Sequence, residues 1–107
     1  MSETYYPDRW VLLEIFSEKS NYKKVLTSWY GGYLDSDHWK LSSSVEKIIE
    51  KDASYEFITE SGSKYSCSKN HYGLTSLSKS IFDTLSFKAK DNNISIKLFD
   101  KSDLCLI

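Results

Sequence analysis

A chain of 107 residues with a formal net charge of −1 is long enough to bury one hydrophobic core and too short for two, so residues 1–107 read as a single domain. Apolar residues at 40% and charged residues at 27% exclude a disordered or fibrous protein, and so balanced a charge leaves no field that would hold a polyanion, which disfavours nucleic acid as a partner. Three Trp, eight Tyr and five Phe, set against alanines only at Ala53 and Ala89, favour pleated sheet over helix.

Met1 to Tyr6 forms a short polar lead, and Pro7-Asp8 is a turn that starts a first strand over 10–16. Val11, Leu13 and Ile15 share one face of that strand while Trp10, Leu12 and Phe16 share the other, so it is expected to be central. Ser17 to Asn21 turns the chain into a second strand over 24–30 that pairs with the first. Gly31-Gly32 interrupts the alternation, and Asp35-Ser36-Asp37 links to a third strand near 38–45. Residues 45–50 suit either a strand or a short helix. Strands over 55–60 and 64–69, joined across Ser61-Gly62-Ser63, give the clearest hairpin.

Thr75 or Ser76 can cap a helix that carries Leu77, Ile81 and Leu85 on one stripe and ends near Lys90. Asp91-Asn92-Asn93 then turns the chain into a last strand over 94–99. The expected fold is α+β, mostly β: an antiparallel meander sheet or half-barrel of five to six strands, with one C-terminal helix followed by a final strand. Val11, Leu13, Ile15, Val25, Phe57, Leu77, Ile81, Leu85, Ile94 and Ile96 are expected to share one core.

Cys67 and Cys105 are too sparse for a secreted disulfide framework and are expected to be reduced thiols. The longest apolar run, Trp10-Val11-Leu12-Leu13 extended through Ile15-Phe16, is far short of a membrane span, and Cys105 stands third from the C-terminus where prenylation needs the fourth position. With no stretch resembling a signal peptide, the expected location is the cytoplasm, without a membrane partner.

Asp35-Ser36-Asp37-His38 is the cluster nearest to a metal or acid-base site, but its spacing fits no known cation loop, and a polar turn explains the same residues. Cys67, His71 and Asn70 have the residue types of a nucleophile, a base and an orienting group, yet strand alternation turns Cys67 inward with Tyr65. Phosphate loops, nucleophile elbows and paired zinc ligands are missing. No catalytic residue, metal or cofactor is therefore assigned, and a non-enzymatic role is expected. Lys64, Lys69 and His71, near the start of the helix, form a candidate site for a small anionic ligand.

The densest feature is Trp29-Tyr30-Gly31-Gly32-Tyr33-Leu34 followed by Asp37-His38-Trp39-Lys40-Leu41, with Tyr5, Tyr6, Arg9 and Trp10 as candidate neighbours. Amphipathic rings of this kind are enriched at recognition surfaces, whereas Trp29 and Trp39 are more readily expected to fill the core of a small sheet, with glycines permitting a bulge between them. Tyr30, Tyr33, Asp35, Asp37 and Trp39 are taken as the candidate contact residues for an unidentified protein partner. These two segments, with Arg9 to Ile15 before them and Ser61-Gly62-Ser63-Lys64-Tyr65 to Lys69-Asn70 after them, resemble a group of small uncharacterised proteins from bacteria and their phages over the first two thirds of the chain. The resemblance brings no activity or residue role; it implies a context in which small accessory proteins of mobile elements bind a host or defence component. The expected function is a protein-interaction factor of the inhibitor, immunity or counter-defence type, with a nucleotide or small-ligand module as the alternative.

Overall fold

A computed structural model describes residues 3–31 and 37–106, the side chains of residues 105 and 106 excepted. The run Trp10 to Leu13 lies in strand β2 (Arg9–Phe16), following a two-residue strand β1 (Thr4–Tyr5). Both faces of β2 are apolar because both are covered. β2 pairs antiparallel with β3 (Asn21–Trp29) across a turn in which the Ser17 amide donates to the Ser20 carbonyl at 2.9 Å. β3 in turn pairs with β4 (His38–Leu41), which is followed by Ser42, whose hydroxyl accepts from the Val25 amide at 2.9 Å.

β5 (Val45–Glu50), β6 (Ser54–Thr59) and β7 (Lys64–Ser68) form an antiparallel meander, so residues 45–50 are a strand, with a bulge between Val45 and Lys47. The β6–β7 turn places Gly62 at φ +89, a left-handed geometry that glycine adopts without a Cβ clash. After β7, a 3₁₀ turn (Lys69–His71) leads to helix α1 (Ser76–Lys90), capped by Thr75, and then to β8 (Ser95–Leu98) and a 3₁₀ segment (Lys101–Leu106). The tight turn before β8 uses Asn93 at φ +58, tolerated because asparagine visits this region more readily than bulkier residues.

The α+β, mostly β class holds, but the single meander does not. The strands form two four-stranded sheets, in the orders β1-β7-β6-β5 and β4-β3-β2-β8. β8 returns to pair with β2, and β1 adds to β7 in parallel, Tyr5 opposite Tyr65. Neither pairing is local in sequence, which is why periodicity could not supply it.

The expected single core is likewise corrected to two apolar layers on either side of the β2–β3 sheet. Trp10, Leu12 and Val25 meet Tyr55, Phe57, Tyr65 and Cys67 of the other sheet, closed off by Phe99 and Leu104. On the opposite face Val11, Leu13 and Leu26 meet Ile81 and Phe82 of the helix, with Ile96 and Leu98 of β8 beside them. Leu77, Leu85 and Ile94 are only half-buried. The buried residues of the helix are instead Ser78, which shares the cap with Thr75, and Ala89 in its last turn. No helix among the described residues is long and apolar enough to cross a membrane.

Candidate functional site

The register of β3 and β4 decides which rings share a surface. Trp29 pairs with His38 and Thr27 with Lys40, so all four side chains lie on the face that looks toward the other sheet, while Trp39, opposite Ser28, lies on the helix side. Over Trp10, Leu12 and Val25 that face is closed by Tyr55, Phe57 and Tyr65. Beyond them the covering sheet narrows to β1, only two residues long, and the rings there stay partly open. The result is a groove of about 490 Å³ between β1 and β4, lined by Thr4, Tyr5, Tyr6, Trp29, His38, Trp39 and Lys40.

A series of rings runs from the core out to this groove. Buried Tyr65 stacks on Tyr5 at 5.0 Å between centroids, Tyr5 meets Trp29 edge-on at 6.3 Å, and Trp29 stacks on exposed His38 at 5.2 Å and 11°. Offset-stacked and edge-on pairs at such separations are the favourable aromatic geometries. Lys40 Nζ sits 5.3 Å from the Tyr5 ring centre, a cation–π contact, and makes no ion pair among the described residues.

Hydrogen bonds fix the frame. Trp29 Nε1 donates to the Tyr6 carbonyl at 3.0 Å, and the Tyr30 amide donates to Asp8 Oδ2 at 2.8 Å, tying the lead before β2 to the end of β3. The Tyr5 hydroxyl donates to the Glu3 carboxylate, which, with burial and the Glu3 charge, holds the Tyr5 pKa above its ordinary value.

Of the contact residues expected from sequence, Tyr30 is 54% exposed and Trp39 42% exposed. Asp37 is exposed and its Oδ1 accepts from the Gly31 amide at 2.9 Å. Tyr33 and Asp35 lie outside the described residues. Trp39 does not fill the core and Trp29 is half-buried; the tryptophan that does fill it is Trp10, fully buried with Nε1 donating to the Ser68 carbonyl at 2.7 Å. Trp10 is therefore not part of the surface cluster with which sequence adjacency grouped it.

The expected anion site does not assemble from Lys64, Lys69 and His71. Lys64 is the first residue of β7 and Lys69 follows its last, about 16 Å away at the rise of a strand. Lys64 Nζ faces Glu56 at 3.7 Å, while Lys69 Nζ contacts Glu50 at 2.6 Å and lies over the Tyr55 ring. His71 is exposed. The start of α1 is closed by its own capping box, Thr75 and Ser78 each accepting the other's backbone N–H.

Cys67 is a free, fully buried thiol whose pKa burial pushes well up, so it behaves as a small apolar group; the Cys105 side chain lies outside the described residues. Among the described residues, no three His, Cys, Asp or Glu side chains gather as a metal site would need. Compared with protein-family models, curated proteins and solved structures, the chain finds no match in any of the three.

Sequence reading placed Tyr5, Tyr6 and Lys40 near the aromatic segment without giving them a role. No local signal could have done so, because Tyr5 reaches the groove through the parallel β1–β7 pair, between residues sixty positions apart.

Proposed function

We propose that this chain is a non-enzymatic binding protein, a protein-interaction factor whose contact surface is the rim of the β1–β4 groove. One observation carries the reading. Among the described residues four large hydrophobic side chains are exposed: Tyr6 and Trp39, which line this groove, Tyr30, which follows its Trp29 in the chain, and Phe87 on the helix. Rings with polar tips, clustered on a rigid sheet edge, are the side chains that most often anchor a protein interface. The resemblance noted from sequence adds the context of an inhibitor, immunity or counter-defence factor of a bacterial or phage mobile element, acting by covering a host component.

The test uses the tagged chain as bait in bacterial lysate, beside Tyr30→Ala, Trp39→Ala and the control Phe87→Ser. A specific partner should be retained by the wild type and the control, with affinity reduced about 30-fold in Trp39→Ala, as truncating a central interface aromatic costs about 2 kcal/mol. The reading fails if no partner is retained, or if one binds the rim variants as tightly as the wild type.

A further inference from the structure

The floor of the groove differs from its rim. Tyr5, Trp29 and His38 form a ring series anchored in the core at Tyr65, and it ends at an exposed imidazole. His38 uses one face on Trp29; among the described residues its other face meets no ring. Two residues along β4 on the same face stands Lys40, which lies over the Tyr5 ring and makes no ion pair among the described residues. Glu3 accepts from the Tyr5 hydroxyl and Asp37 from the Gly31 amide, and neither lines the groove.

A ring stack that ends, among the described residues, on an exposed imidazole, beside a lysine that makes no ion pair among them, is complementary to a planar ring that carries an anion. We infer that the groove is a binding site for a mononucleotide, with the base stacked on the outer face of His38 and the phosphate at Lys40. At about 490 Å³ the groove falls within the usual size of small-ligand sites. Stacking tolerates any base, because every base offers a π-face. An exposed cation–π contact is weaker than a charge-assisted bond to phosphate, so Lys40 can leave Tyr5 for the ligand. This inference goes beyond the protein-partner reading and uses different side chains: the floor holds the nucleotide, while the rim residues Tyr30 and Trp39 meet a partner.

The experiment titrates the full chain with AMP and CMP, and with adenosine and inorganic phosphate as half-ligands, following tryptophan fluorescence and NMR shifts. Both mononucleotides should bind with Kd of about 1 mM or tighter and perturb the Trp29 and His38 side-chain signals. Lys40→Ala should weaken AMP about tenfold while leaving adenosine unchanged, and His38→Ala should weaken both. Each side chain is exposed, so an unchanged amide spectrum will confirm that the variants fold. The inference is overturned if neither nucleotide binds at about 10 mM, if the shifts map away from the groove, or if Lys40→Ala leaves AMP affinity intact. Partner capture by the same variants is read separately, so failure of the nucleotide site and failure of the rim interface are distinct results.

Discussion

Glu56 shows how a charge is kept on a crowded sheet face. Its side chain is almost covered, yet Oε1 lies 3.0 Å from Lys51 Nζ and 3.7 Å from Lys64 Nζ. The hydrogen bond from Lys51, reinforced by both lysine charges against the opposing effect of burial, holds the carboxyl below its ordinary pKa. A lowered folded pKa means that the stabilisation is fully present above the unfolded value of about 4.3 and is lost as pH falls through the folded one. Glu56→Gln is therefore expected to lower the melting temperature at neutral pH and to flatten its decline on the acid side, as a thermal melt series across that window will show. An acid limb unchanged in the variant would mean that other carboxylates set it. Tyr72 is a second residue whose role is tertiary: its hydroxyl donates to the Phe99 carbonyl and accepts from the Leu12 amide, and burial raises its pKa to about 12.

At the scale of elements, α1 starts where Thr75 and Ser78 satisfy each other's backbone N–H groups, leaving fewer unpaired donors in the first turn. Thr75→Ala should cost about 1 kcal/mol in urea denaturation. In a Ser78→Ala background the same change should cost less, because a reciprocal cap is already half lost. Equal costs in both backgrounds would show that the two hydroxyls act independently. The helix start and the β6–β7 hairpin were legible in the sequence because caps and glycine turns are set by neighbouring residues. The apolar stripe of α1 was legible in part, since Ile81 and Phe82 pack on the layer formed by Val11, Leu13 and Leu26. Leu77 and Leu85 are only half-buried, whereas the helix residues buried most completely are Ser78, in the cap it shares with Thr75, and Ala89, whose carbonyl accepts from the Asn92 and Ile94 amides of the turn that follows.

For the whole molecule, the consequence of two sheets and a helix is two apolar layers separated by the β2–β3 sheet. Phe57→Leu perturbs the layer between the sheets and Leu13→Val the layer under the helix, each costing on the order of 1 kcal/mol. Packed layers lie about 10 Å apart, so the double variant should be additive within about 0.5 kcal/mol in equilibrium denaturation. A larger coupling energy would support the single continuous core that apolar periodicity alone had implied.

The sequence by itself determined the class of the fold, the central position of β2, the hairpin, the capped helix and the crowding of rings near Trp29 and Trp39, since alternation, capping and turn chemistry act within a few residues. It did not determine the parallel β1–β7 pair, the return of β8 to β2, or the division of the core. Those contacts join residues far apart in the chain, and strand edges carry no address readable from one strand alone. The candidate site depended on the same decisions: Tyr5 became a wall of the groove only when β1 docked on β7, and Lys64 and Lys69 ceased to be one site once β7 was extended between them.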